Sequence, residues 1–243
     1  IDMTNIPMTK EEKRNKMIFS IIGIILVIGI IGIGIHYFIS MKDKPSSWKN
    51  NAKVPENISV SYDGDSINGA EIIFTNDPNR KDSDSIRLFE DPSCSYCAKL
   101  AGDISDDIAD KVDNGAELHV NLMAFLDNKT GLNFSKDNIA ALVTLAENGE
   151  AEAAWKYYNA MWDNQNESKN NPDRNYFSEI ALSFGASSEV AEKINTVSTE
   201  TIEHIDKTNQ KLMEDKVGSV STPVLFINNE INNDPANVDG WGI

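Results

Sequence analysis

Cysteine is nearly missing from this chain: 243 residues contain two, together with three histidines. Two cysteines cannot build a disulfide-rich scaffold or a four-cysteine zinc site, and three histidines leave few other ways to hold a metal. Basic residues are scarce as well, with 22 Lys+Arg against 38 Asp+Glu and a net charge of −16. A phosphate-binding face must be basic, so a nucleic-acid partner is excluded. No internal repeat interrupts the chain. Its mean hydropathy of −0.36 suits an acidic soluble protein, but that average hides an apolar block near the start.

From Ile18 to Ile39 runs a stretch of 22 residues, eleven of them Ile and none charged. Roughly 20 apolar residues cross a bilayer core. The run is too long for the apolar part of a cleaved signal, no A-x-A-like site follows it, and it leaves through the bulky His36-Tyr37-Phe38. Residues 18–39 therefore read as a single transmembrane signal-anchor. Lys10, Lys13, Arg14 and Lys16 precede it and only Lys42 and Lys44 follow closely. This bias keeps residues 1–17 in the cytoplasm and sends the rest out of it. The expected location is the cell membrane, single-pass, with an extracytoplasmic domain. The first 44 residues hold six basic and four acidic side chains, which leaves 16 basic against 34 acidic, net −18, in the outer part. Such a charge keeps a tethered domain soluble and off anionic lipid.

Residues 40–57 are polar, contain two prolines and show no period, so they read as a linker to an outer domain at 58–243. Three β-type runs follow, at 58–62, 70–75 and 85–90. The period then changes. Cys97, Leu100, Ala101, Ile104, Ile108 and Val112 share a helical face over about 94–112, and Glu117 to Phe125 reads as the next strand. Strand, helix and strand within about 40 residues predict a βαβ unit with parallel strands. Helical periods cover 137–148, 150–162, 176–184 and 187 to about 215, before a strand at 223–228 and a short partner at 230–231. The aromatic residues Trp155, Tyr157, Tyr158 and Trp162 lie at helical spacing and are read as core.

The two cysteines stand three residues apart in Cys94-Ser95-Tyr96-Cys97, a spacing that chance places on such a chain roughly one time in a hundred. Outside the cytoplasm, an isolated close pair cycles between dithiol and disulfide. Cys94 stands at a helix start, where free N–H groups and the positive end of the dipole favour its thiolate. Cys97 lies on the apolar face. Cys94 is then the nucleophile and Cys97 the resolving thiol. The Ser95 hydroxyl is a candidate donor to the sulfur, while Glu90 and Asp91 oppose a thiolate by like charge.

Phe89-Glu90-Asp91 before Cys94-Ser95-Tyr96-Cys97-Ala98-Lys99, then Phe125-Leu126-Asp127, a helical block, and Ser221-Thr222-Pro223-Val224 leading a strand, together resemble the DsbA-like branch of the thioredoxin superfamily. The likeness covers about residues 58–231 and is nearest to the membrane-anchored members of Gram-positive bacteria, especially actinobacteria. The resemblance implies an α/β thioredoxin fold with a helical insertion at about 132–214. It implies a redox-active Cys94–Cys97 disulfide in place of any cofactor or metal. Pro223 would match the family's cis-proline, with the Thr222 backbone pairing an extended substrate. The implied partners are reduced exported proteins and a membrane reoxidant such as a DsbB-like or vitamin-K-epoxide-reductase-like protein. Leu88 stands where thioredoxin has a buried acid, so an acid assisting Cys97 would have to be Glu90 or another group. The tail at 232–243 shows little helical pattern, where the family usually finishes with a helix.

The activity expected is disulfide formation in exported proteins. Within the same fold a reductase or isomerase is the first alternative, because direction follows redox potential and partner. A copper-handling CxxC protein is a second, and it would call on His119 or His204 as a further ligand. A static disulfide is disfavoured, because so short a loop stabilises little.

Overall fold

The computed structural model describes residues 48, 49, 51–170 and 172–243. Residues 1–17, read as a cytoplasmic tail, and the apolar span at 18–39, read as a signal-anchor, lie outside the described residues. Among the described residues no helix is long and apolar enough to cross a membrane.

Among the described residues six strands form one mixed sheet in the order β1-β2-β4-β3-β5-β6: β1 (Ser59–Ser66), β2 (Gly69–Thr75), β3 (Ser85–Glu90), β4 (Glu117–Leu122), β5 (Val224–Ile227) and β6 (Glu230–Asn232). Only β3 and β4 run parallel, and the helix α1 (Ser95–Asp113) connects them as the βαβ period predicts. The neighbouring pairs are antiparallel. Alternation along the central strands sends Ile86 and Leu88 to one face and Arg87 and Phe89 to the other. The first face packs with Phe74, Leu118 and Val120 under α1, whose buried stripe is Cys97, Leu100, Ile104, Ile108 and Val112. On the second face Phe89 meets Met123, Met213 and Phe226 in a smaller cluster.

Between β4 and β5 the chain is helical: α2 (Phe125–Thr130), α3 (Phe134–Glu147), α4 (Ala151–Asp163), a 3-10 turn (Gln165–Asn170), α5 (Arg174–Ser183), α6 (Ser188–Ile194) and α7 (Thr199–Val217). Trp155, Tyr157, Tyr158 and Trp162 of α4 are all buried in the core.

Several sequence boundaries move, each for a physical reason. The strand expected over 117–125 stops at Leu122, and Phe125 opens α2 instead. Distant carboxylates stabilise that start: Asp206 accepts the Ala124 N–H at 2.7 Å, and Asp91 accepts that of Leu126 at 3.0 Å. The helix expected over 187–215 is two helices. The Asn195–Ser198 stretch breaks it, and the Ser198 hydroxyl accepts the Thr201 N–H at 3.1 Å to cap α7. β1 extends four residues past Tyr62 through an irregularity between Asp63 and Ser66. It turns back at Gly69, whose φ of +87° suits a residue without Cβ.

From Trp48 onward, the stretch read as a linker is packed. The Trp48 ring is buried, 5.3 Å from the Tyr157 centroid and 6.2 Å from that of Phe177, and its Nε1 donates to Tyr176 Oη at 3.0 Å. Lys53 pairs with Asp110 at 2.5 Å and Asp113 at 2.9 Å on α1, and its carbonyl accepts the Trp155 Nε1–H at 2.8 Å. Without a local period, this packing left no signature in the residue pattern.

Candidate active site

β3 delivers Phe89, Glu90 and Asp91 to the start of α1. The Cys94 N–H donates to the Asp91 carbonyl at 2.8 Å, and Cys94 becomes the cap of α1, its sulfur accepting the Cys97 N–H at 3.4 Å. A side chain in the cap position faces the first-turn N–H groups, which are free of helical partners. Both cysteines are free thiols and both are buried, Cys97 completely. Ser95 is exposed, and Tyr96 is 73% exposed at the rim. The Thr222–Pro223 peptide bond is cis, and it brings the Thr222 carbonyl 3.5 Å from the Cys94 sulfur. Tyr96, Leu100, Thr222, Pro223, Pro235 and Ala236 border an open apolar groove beside this pair.

The two sulfurs are opposite in acidity. Cys94 is lowered from 9.0 to about 5: hydrogen bonding from the Cys97 thiol outweighs burial, aided by the N–H groups of Cys97 and Tyr96. Burial pushes the Cys97 thiol far up, reinforced by Cys94 and by the charge of Glu90. The Ser95 hydroxyl is not among these donors; backbone and neighbouring groups supply the hydrogen bonds instead.

Glu90 is 1% exposed and accepts the Tyr158 hydroxyl hydrogen at 2.7 Å. Burial raises its carboxyl to about 8, against the Tyr158 bond and with the help of Cys94. At neutral pH Glu90 is therefore mostly protonated and brings little of the charge that was expected to oppose the thiolate. Asp91 is raised to about 6 by burial, against hydrogen bonds from Ser135, Leu126 and Ser93.

Three residues that support the site escaped the sequence reading. Gln165 donates from the 3-10 turn to the carbonyls of Pro92 and Cys94, both at 2.8 Å, and fixes the loop. Ser135 of α3 bonds Asp91, and Tyr158 of α4 bonds Glu90. All three come from the helical block. No local pattern marks them, because their partners are 44 to 73 residues away.

His119 lies between Glu71 at 2.9 Å and Glu117 at 3.3 Å, and His204 is exposed beside Asp65. Neither ring is offered to the cysteines in these contacts. Among the described residues no group of three or more His, Cys, Asp and Glu is placed to hold a metal.

Comparison with known proteins agrees with this geometry. The thioredoxin family model matches residues 79–242. MdbA, a thiol-disulfide oxidoreductase from Corynebacterium diphtheriae, superposes with a TM-score of 0.67 at 26% identity, over 79% of this chain and 96% of that one. Its namesake from Corynebacterium matruchotii gives 0.66 at 22% identity, over 77% and 92%. DsbA from Mycobacterium tuberculosis gives 0.53 at 22% identity, over 65% and 79%. Comparison with curated proteins gives no match. The chain belongs to the thioredoxin family, among its DsbA-like thiol–disulfide oxidoreductases.

Proposed function

We propose that this chain is a membrane-anchored, extracytoplasmic oxidase that forms disulfides in exported proteins. The observation that carries the reading is the acidity of Cys94, lowered to about 5 beside a Cys97 that stays protonated. A stabilised Cys94 thiolate favours the reduced enzyme, and a couple whose reduced form is stabilised is an oxidant.

In the cycle, a substrate thiolate attacks the Cys94 sulfur of the enzyme disulfide. The Cys94–Cys97 bond breaks, and Cys97 leaves with the electron pair and takes a proton. Glu90, protonated near neutrality and within electrostatic reach of Cys97, is the group placed to hand over that proton. A second substrate thiolate attacks the substrate sulfur of the mixed disulfide, and Cys94 departs as the stabilised thiolate. The substrate is oxidised by two electrons. A membrane reoxidant of the DsbB-like or vitamin-K-epoxide-reductase-like kind takes them from the dithiol. Thr222 and Pro223 border the groove in which an extended segment of substrate would lie beside Cys94. The basic flank of the apolar span supports the orientation that puts this site outside the cytoplasm.

The test is Cys97→Ala in cells followed by non-reducing gels. Mixed disulfides between Cys94 and exported proteins are expected, and Cys94→Ala abolishes them. Absence of adducts, together with undiminished substrate oxidation in Cys94→Ala, would overturn the reading. Equilibration of the purified outer domain with glutathione separates oxidase from reductase: a strongly reducing potential would assign it to the reductases.

A further inference from the structure

Behind the Cys94 loop, four oxygen atoms form an unbroken line between two buried carboxyl groups. Asp91 Oδ1 lies 2.6 Å from Ser135 Oγ, Ser135 Oγ 2.8 Å from Ser93 Oγ, and Ser93 Oγ 3.0 Å from Asp127 Oδ1. Asp91 and Asp127 are both essentially inaccessible to solvent, and among the described residues neither is paired with a lysine or arginine. Other donors are backbone N–H groups: Ser93 at 2.9 Å and Leu126 at 3.0 Å to Asp91, Lys136 at 3.0 Å and also Ser135 to Asp127, while the Ser93 N–H reaches Ser135 Oγ as well, at 3.1 Å.

Hydrogen counting favours one retained proton on this line. Three close O···O gaps need three hydrogens, and each serine hydroxyl supplies one. With both carboxyls ionised, one gap would set two lone pairs against each other in a buried place. A third hydrogen on one carboxyl fills every gap: Asp91 donates to Ser135, Ser135 to Ser93, and Ser93 to the Asp127 carboxylate. Moving that proton to Asp127 reverses the direction of all three bonds and leaves the line intact.

We propose that Asp91 and Asp127 share a single proton through Ser135 and Ser93, so that the pair presents one negative charge to the Cys94 loop where two carboxylates would present two. Asp127 is thereby a positioning residue of the redox site, acting from α2 through Ser93, the residue before Cys94. The titratable group that acts on Asp91 is Asp127 itself, and the tie to the cysteines runs through the chain: the Asp91 N–H hydrogen-bonds the Cys97 sulfur, and Ser93 precedes Cys94. Burial raises both aspartates, Asp91 to about 6 as a separate carboxyl, so a proton still held at neutral pH would have to be kept by the line of hydroxyls. Its bearing on turnover rests on the proposed function, in which Cys94 forms and leaves the mixed disulfide, but a thiolate titration needs no turnover.

The test is the Cys94 thiolate titration, followed by ultraviolet absorbance, in Asp91→Asn, Asp127→Asn and the double variant. If the proton is shared, either single variant still leaves one charge, because the remaining aspartate ionises. The Cys94 midpoint is then not lowered by either, and it falls by about one unit only in the double variant. A midpoint lowered in either single variant overturns the proposal, as does a double variant without effect. Should a variant fail to fold, infrared spectroscopy of the folded Glu90→Gln protein keeps the question open to refutation. A protonated-carboxyl band at neutral pH is expected, and its absence excludes the shared proton.

Discussion

Tyr158 Oη lies 2.7 Å from Glu90 Oε2, so a hydroxyl from the helical block ends on the carboxyl that closes β3, beneath the cysteine pair. Because burial raises Glu90 from 4.5 to about 8, its contribution to stability is complete below 4.5 and is lost as pH rises through about 8. The loss is on the order of 5 kcal/mol across that window. Glu90→Gln should flatten the stability–pH curve between pH 5 and 9, and Tyr158→Phe should move its midpoint upward. Chemical denaturation of the disulfide form, in which no thiol titrates, measures both; parallel curves for wild type and Glu90→Gln would refute the assignment.

Cys94 should react with iodoacetamide at a rate that rises through a midpoint near pH 5 and is flat by neutrality, with Cys97 unmodified. Mass spectrometry of the modified peptide assigns the sulfur. The sign for stability is opposite to that of Glu90. A lowered Cys94 stabilises the reduced form above its ordinary value near 9.0, and that stabilisation disappears as pH falls through about 5. The reduced protein therefore loses stability relative to the oxidised one on acidification, which paired melting curves read directly.

Trp48→Ala should cost about 3–5 kcal/mol, because it empties a buried aromatic nest formed by Phe134, Tyr157, Tyr176 and Phe177. Lys49→Ala, one residue on and exposed, should change stability by less than about 0.5 kcal/mol. Urea denaturation distinguishes packed chain from slack linker: equal costs for the two variants would mean that Trp48 contributes nothing.

On the second face of the sheet, Arg87 pairs with Glu71 and donates to Asn121 at 2.9 Å, all three side chains being buried. Arg87→Met alone leaves the buried Glu71 carboxylate without its guanidinium, with only His119 and Ser66 as partners, and should cost about 3 kcal/mol. Combining it with Glu71→Leu should recover most of that loss. A double variant less stable than the single one would show that the pair is not what holds Arg87.

Much of this architecture was legible in local patterns. The period change after Glu90 marked β3, α1 and β4, and only one stripe of α1 had the apolar residues needed to face a sheet. Cys97 fell on that stripe and Cys94 at the helix start, so resolving and nucleophilic roles followed from spacing. The boundaries that moved are those whose hydrogen-bond partners are remote. Leu126 begins a helix because Asp91 receives its N–H, and no window around Phe125 contains Asp91. Trp48 sits in a polar, aperiodic stretch, and its burial depends on a pocket built by helices more than 80 residues further on.

The residue order by itself determined a pair of thiols at a helix start, a strand on either side of that helix, and an excess of acid around it, because periodicity and capping are local properties of the chain. Whether those acids would oppose the Cys94 thiolate was decided only by tertiary structure. Packing buried Glu90 against Tyr158 and lined Asp91 up with Ser135, Ser93 and Asp127. A carboxyl withdrawn from water keeps its proton unless enough donors surround it, and the surroundings are made by segments distant in sequence.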